Sequence, residues 1–528
     1  MSKLIDAKAA AALIPEGATV WLGGLAMMGF AEEIAKAIEA RFLETGQPKN
    51  ITTWASGAIG NAKDGGMVHF AHPGLLKRMI AGHYGQCGAN LMKMVMAGEI
   101  EAYNFPQGSL SNLPKHIAAR APGLLTKVGL GTFVDPRIEG GKMNSATTTS
   151  LNEVVQFAGE EWLFYPSPKV NVALIRATLA DEKGNLSMDK EGVLLETLSV
   201  AQAVKANGGI VIAQVERVVK AGSLHPKSVK VPGLVVDHVV IGQPQNHMQT
   251  ISTQYNPGLS GDIRVPVNAL KPMPLDARKV IARRAAAELI QGAVVNLGIG
   301  VPAGVPAVAF EEGLGDAFEL SVESGVNGGV PQMGGDFALS LNAESIIEQP
   351  LQFNFYDGGG IDVSCLGLAQ ADATGNVNVS KFSGRPVGCG GFINITQSAK
   401  KLVFCGTFTA DGLELEIGGG ALKITKEGAV KKFISQVEQI TFSGPGSVQR
   451  QQQVLFITER AVFHLGAEGL ELTEIAPGID LQRDVLAHMD FKPLMKNVRT
   501  MDAGIFQERW GGLKEAMAHA RPLSHAKA

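Results

Sequence analysis

The chain has 528 residues, 45% of them hydrophobic and 18% charged, which is too long for one hydrophobic core and too apolar for a disordered chain. A net charge of −3 gives none of the basic excess expected of a nucleic-acid or anionic-membrane partner. Four cysteines without CxxC spacing (Cys87, Cys365, Cys389, Cys405) argue against a zinc site or disulfide frame and fit reduced cytoplasmic thiols.

The N-terminus, MSKLIDAKAA, lacks an apolar stretch of the secretory kind. A first strand is predicted in GATVWLGGL (Gly17–Leu25) and a second in ITTWASG (Ile51–Gly57), each running into a glycine turn. The segment Ala102–Pro168 reads as an insertion. A third strand leaves through the turn ADEKGNL (Ala180–Leu186), and GGIVIAQV (Gly208–Val215) follows. The region Asn256–Pro274, rich in Pro, Gly and Asn, reads as a join.

A helix is then predicted from Asp276 as N-cap, with Val280, Ile281, Ala285 and Leu289 on its apolar face and Gly292 closing it. The uncharged run Leu289–Phe310 is long enough to raise a membrane question. Its four glycines, two prolines, Gln291 and Asn296 favour a helix end, a buried strand and a turn. From here the first half repeats. GAVVNLGIG (Gly292–Gly300) matches Gly17–Leu25, and ELSVESG (Glu319–Gly325) matches ITTWASG. ADATGNV (Ala371–Val377) matches ADEKGNL, and KLVFCG (Lys401–Gly406) follows in the place of GGIVIAQV. The expected fold is α/β, with two similar open, largely parallel-sheet domains arising by duplication. Their expected ranges are 1–258 and 276–528, joined by a linker at 259–275.

Within the second copy, Glu323 ends an alternating strand beside Ser324, Gly325, Gly328 and Gly329, whereas Ala55 stands opposite it in the first copy. Two readings are open. LGIGVPAG (Leu297–Gly304) with an acid at the end of the next strand has the layout of a dinucleotide site, although Pro302 removes one phosphate-binding amide. Alternatively, Glu323 is a nucleophile. A carboxylate is ionised at neutral pH, needs no general base and can attack a thioester. The developing oxyanion would need backbone donors, and VGCGGFI (Val387–Ile393) is a glycine turn that could supply them or could simply join two strands.

Several longer motifs carry a resemblance. VNLGIGVP (Val295–Pro302), SVESGVNGG (Ser321–Gly329), FNFYDGGGIDV (Phe353–Val363), GNVNVSKF (Gly375–Phe382) and GCGGFINI (Gly388–Ile395) are similar to the family I CoA-transferases, especially the single-chain propionate or acetate group. The likeness includes NFPQG (Asn104–Gly108), GTFVDPR (Gly131–Arg137), ALIRAT (Ala173–Thr178) and LHPKSVKVPG (Leu224–Gly233). It continues through ITERAVF (Ile457–Phe463) and EIAPGIDLQRDVL (Glu474–Leu486).

The resemblance implies transfer of CoA between a short-chain acyl-CoA and a free carboxylate of acetate or propionate type. Glu323, heading an E-x-G motif, would form first an acyl anhydride and then a glutamyl-CoA thioester. It also implies oxyanion and CoA contacts from Gly388, Gly390 and Gly391, with Gln107 and Asn327 lining the acyl pocket. Family members often carry less polar residues where this chain has Val326 and Asn327. Coenzyme A would be a co-substrate, with no resident cofactor and no metal. The expected partners are acyl-CoA, short-chain carboxylates and further copies of the chain, often four, in the cytoplasm; no nucleic acid and no membrane are expected. A thioesterase admitting water, a NAD-dependent dehydrogenase and a non-catalytic binding module are the competing readings. His83 and Tyr84 read as carboxylate hydrogen-bonding groups or as structural residues, Cys389 as a packing residue, and Arg137 and Arg460 as phosphate ligands or surface ion pairs.

Overall fold

The computed structural model describes residues 3–266, 272–520 and 522–523. The chain packs as two compact units. The first holds Met1–Val265, Glu323–Asn354 and Gly384–Asn394; the second holds Pro266–Val322, Phe355–Ser383 and Ile395–Ala528. Residues 267–271 of the linker expected at 259–275 lie outside the described residues.

The first unit is built on a seven-stranded sheet. Its strands are β1 (Thr19–Leu22), β2 (Ile51–Ala55), β3 (Leu76–Ala81), β4 (Glu101–Asn104), β5 (Val172–Arg176), β6 (Ile210–Val215) and β7 (His238–Ile241). They run in the order β7-β6-β5-β1-β2-β3-β4, and every neighbouring pair is parallel. All five residues of β5, VALIR, are buried, as expected for a strand covered on both faces. Helices α1 (Ala7–Ala12), α2 (Glu32–Thr45), α3 (Ala89–Met96), α4 (Gln107–Ala118) and α5 (Thr197–Ala206) bury apolar faces in this unit. Helix α2 ends where Gly46, at φ +70°, donates its N–H to the Phe42 carbonyl.

In the second unit, α6 (Ala277–Ala286) precedes β8 (Val294–Leu297), β9 (Glu319–Ser321), β10 (Val363–Gly367), β11 (Lys401–Cys405), β12 (Gln453–Ile457), β13 (Ala461–Gly466) and β14 (Gly469–Ile475). These strands run β9-β8-β10-β11-β12-β13-β14. Pairs from β9 to β12 are parallel, whereas β12/β13 and β13/β14 are antiparallel hairpins. Asp276 caps α6 by accepting from Lys279 N–H, as its sequence position predicts. The helix stops at Ala286 and does not continue to Leu289. Glu288 and Leu289 donate to carbonyls three residues back, tightening the chain into a turn before Gly292.

The repeat read in the sequence reappears as a shared strand order. β6-β5-β1-β2 in one unit corresponds to β11-β10-β8-β9 in the other. The run Leu289–Phe310 divides into a turn, β8, a 3₁₀ turn at Val301–Gly304 and a short helix at Val305–Glu311. No helix among the described residues is long and apolar enough to cross a membrane.

Candidate active site

Parallel α/β sheets bind ligands beyond the carboxyl ends of their strands. In the first unit those ends carry Ser56 after β2, Gly82–Tyr84 after β3, and Asn104 closing β4 ahead of α4. The glycine turn Val387–Gly391 is tied to these ends. Tyr84 N–H donates to Val387 O at 2.8 Å, Gly390 N–H to Gly82 O at 2.7 Å, and Gln107 N–H to Gly390 O at 2.9 Å. The Asn104 side chain accepts from Cys389 N–H at 2.9 Å and donates to Ala81 O at 2.8 Å and Gly82 O at 2.6 Å. The turn requires glycine at Gly388. There φ is +93°, and a Cβ would fall 2.8 Å from Asn104 Nδ2 and 2.9 Å from His83 Cα.

Glu323 meets this turn at Gly391, where an added Cβ would stand 3.5 Å from Glu323 Cγ and 3.2 Å from the Phe353 ring. The backbone just beyond Glu323 is tightly held. Ser324 Oγ donates to Ala338 O at 2.6 Å. Gly325, at φ +101°, packs so closely that a Cβ would fall 2.1 Å from Ile347 O. Among the described residues no side chain hydrogen-bonds to the Glu323 carboxylate and no cation pairs with it. Burial raises its pKa above the ordinary 4.5, and its own backbone amide opposes part of that rise.

The three glycines expected to serve the oxyanion and CoA differ in what they offer. The Gly390 N–H is engaged by Gly82. The Gly391 N–H has no hydrogen-bond partner among the described residues and belongs to the glycine that packs against the Glu323 side chain, while Gly388 supplies backbone freedom. His83 is half-buried beside the turn. Its Nδ1 accepts from Gly85 N–H at 3.0 Å, which places the ring proton on Nε2. Burial pushes its pKa down to about 4, so the ring is a neutral donor at pH 7. Tyr84 is structural: its buried hydroxyl donates to Tyr103 O at 2.8 Å.

Gln107, the first residue of α4, is fully buried and heads a chain of buried polar groups. Its Nε2 donates to Gln349 Oε1 at 3.1 Å. Gln349 Nε2 in turn donates to Ser56 Oγ at 3.2 Å and Glu196 Oε2 at 3.4 Å, and Ser56 Oγ donates to Glu196 Oε1 at 2.7 Å. Asn327 lies on the Glu323–Asn354 segment, with its Nδ2 3.5 Å from Gly325 O. It pairs with Ser345 in a two-residue ladder, and its Nδ2 donates to Ser345 Oγ at 3.4 Å. Cys389 is buried, and burial raises its thiol pKa far above the usual range, as for a packing residue. Arg137 pairs with Asp135 at 2.7 Å and Glu161 at 2.8 Å. Arg460 is buried, not at the surface, and pairs with Glu459 and Glu427, each at 2.7 Å.

The dinucleotide layout is not formed. The glycines of Leu297–Gly304 lead into a 3₁₀ turn, and the helix that follows has seven residues with Pro306 in its first turn. No group of three or more His, Cys, Asp or Glu able to hold a metal occurs among the described residues. Sequence reasoning missed Ser56, Glu196 and Gln349 as site-linked groups. Only Ser56 carried a signal, through its place in the repeat beside the residue opposite Glu323.

A family model described as "Coenzyme A transferase" matches residues 4–242. The chain is 48% identical over 524 residues to the caffeate CoA-transferase of Acetobacterium woodii, covering 98% of this chain and 100% of that protein. It is 41% identical over 505 residues to the acetate CoA-transferase YdiF of Escherichia coli K12, covering 95% of each. The crystal structure of acyl-CoA transferase YdiF from E. coli O157:H7, a thioester complex with CoA, superposes with a TM-score of 0.91 at 40% identity over 97% of both chains.

Proposed function

The chain belongs to the coenzyme A transferases, and from that premise we propose that it moves CoA between a short-chain acyl-CoA and a free carboxylate through Glu323. The observation that carries this reading is the Glu323 side chain lying against Gly391, with no side-chain donor or cation on the carboxylate and no partner for the Gly391 N–H among the described residues. A carboxylate with no cation or side-chain donor, held only by its own backbone amide, keeps much of its nucleophilicity, and a free amide beside it can take the charge that develops on the thioester oxygen.

The steps balance without a resident cofactor. A Glu323 oxygen attacks the thioester carbonyl, the C–S bond breaks, and CoA leaves as the thiolate from an acyl-glutamyl anhydride. The thiolate then attacks the glutamyl carbonyl. The anhydride C–O bond breaks, the first acid departs with an oxygen from Glu323, and a glutamyl-CoA thioester remains. An acceptor carboxylate reverses both steps and returns an oxygen to Glu323. Water has to be kept from both intermediates, since either would hydrolyse. The backbone bonds that tie Val387–Gly391 to the strand ends support such a closed site.

Acetate and propionate are the proposed acceptors. The likeness to a caffeate CoA-transferase makes an aromatic acid the informative comparison. Steady-state rates with propionyl-CoA against acetate should give parallel double-reciprocal lines, the pattern of a ping-pong exchange. Intersecting lines would contradict the reading. CoA release at full rate without an acceptor would assign a thioesterase instead.

A further inference from the structure

Glu196 is a fully buried acid whose carboxylate is hydrogen-bonded to Ser56 and Gln349, groups that lead toward Gln107 and the proposed acyl pocket. It immediately precedes α5 and makes no capping bond from its side chain. Leu195 before it is buried at φ +53°, a left-handed conformation that costs a branched side chain energy. The Leu195 carbonyl also accepts from Gln349 N–H at 3.3 Å, so the strained turn holds Glu196 and Gln349 together.

The polarity of this chain of groups is set from one end. An ionised Glu196 can only accept. It therefore turns the NH₂ of Gln349 toward itself and Ser56, at 3.4 Å and 3.2 Å. That leaves Gln349 Oε1 facing Gln107, which must turn its own NH₂ inward at 3.1 Å. The carbonyl oxygen of Gln107 is left facing the glycine turn, 3.7 Å from where a Cβ on Gly390 would stand. An acceptor in that position opposes a bound carboxylate. A protonated Glu196 can donate to Gln349 Oε1, which reverses both amides and presents the Gln107 NH₂ to the pocket.

We propose that Glu196 is a positioning residue which, by gaining a proton from solvent, turns the Gln107 amide into a donor for the free carboxylate substrate, so that carboxylate binding takes up one proton. This inference rests on the assignment of Gln107 to the acyl pocket and of Glu323 as nucleophile. The group is poised for it. Burial raises the Glu196 pKa to about 7, against the opposing pull of Ser56, its own backbone amide and Trp21, while nearby Glu348 raises it further. Glu348 is the charged group acting on it from the segment packed against it. Trp21 on β1, Ser56 after β2 and Gln107 on α4 are uncharged, and His83 near Gln107 is neutral at pH 7.

The ping-pong sequence allows a clean test, because acetate binds the glutamyl-CoA enzyme, in which Glu323 has no titratable carboxyl. Above pH about 7, kcat/KM for acetate should fall roughly tenfold per pH unit, the slope of one linked proton. In Glu196→Gln, which is neutral at every pH and still able to donate, that slope should vanish. Gln349→Leu interrupts the amide chain while leaving the Glu196 carboxyl in place and should also remove it, which keeps the test open if Glu196→Gln does not fold. Throughout, kcat/KM for propionyl-CoA reports the free Glu323 carboxylate and should keep its wild-type pH profile. An unchanged slope in either variant, or a flat wild-type profile with normal turnover, overturns the role of Glu196 alone. Loss of acetate-dependent exchange in the wild-type enzyme overturns the transferase reading with it.

Discussion

At Glu323 the fold keeps a carboxylate half-buried with no charged partner among the described residues, and that arrangement should cost stability. Its pKa is raised, so the folded state favours the protonated form. The stabilising contribution is therefore complete below the ordinary value of 4.5 and lost as pH rises through the folded value. Glu323→Gln should melt higher than the wild type at pH 8 and match it near pH 4, as thermal unfolding across pH would read; a lower Tm at pH 8 would contradict this. Gly391 offers a complementary probe. Its φ is tolerant of alanine, but the added methyl would stand 3.2 Å from Phe353 and 3.5 Å from Glu323 Cγ. Gly391→Ala should fold with near-normal Tm and lose about 100-fold in kcat, the scale of an ångström-sized displacement at a reacting group.

At the scale of elements, the end of β5 shows how buried charge fixes a loop. Arg176 is fully buried and pairs with Glu191 at 2.6 Å, while its Nη1 donates to Met27 O at 3.0 Å and Phe30 O at 3.3 Å. His247 adds a 3.3 Å contact to Glu191. Burial works to raise the Glu191 pKa, but Arg176 and His247 bring it down to about 2. This pairing stabilises the fold above pH 4.5 and weakens as pH falls toward 2. Arg176→Met leaves Glu191 charged, buried and without its arginine, and should cost about 3–5 kcal/mol, measured by urea unfolding at pH 7. Arg176 was visible in ALIRAT as part of a family motif, but its partner lies across a turn that no local pattern reveals. The Asp276 cap was legible because capping is local. The end of α6 was not, because the apolar face continues past Ala286 while the backbone tightens. Glu323 stood out through its neighbours and its absence from the first copy. Glu196 and Gln349 did not, because hydrogen bonds between groups 153 positions apart leave no spacing signal.

For the whole molecule, the sequence showed the duplicated parallel-sheet architecture well, because buried parallel strands read as continuous apolar runs ending in glycine turns. It could not show which segments pack together. Glu323–Asn354 and Gly384–Asn394 come from the second half of the sequence yet belong to the first unit, where β2, β3 and β4 end. The Glu323 segment and the glycine turn are thus long-range additions to a sheet the N-terminal half builds. The sheet core should set global stability. Leu174→Ala, at a fully buried position of β5, should cost about 2–5 kcal/mol while leaving kcat in the remaining folded enzyme unchanged.

The proposed transfer turns on Glu323 becoming covalently joined to CoA. The protein should be mixed with propionyl-CoA without an acceptor, and its intact mass and peptide map recorded. A gain of one CoA less one water is expected, located on the peptide containing Glu323, removed by added acetate and absent in Glu323→Ala. No adduct in a wild-type protein that turns over, or an adduct that persists in Glu323→Ala, would contradict it.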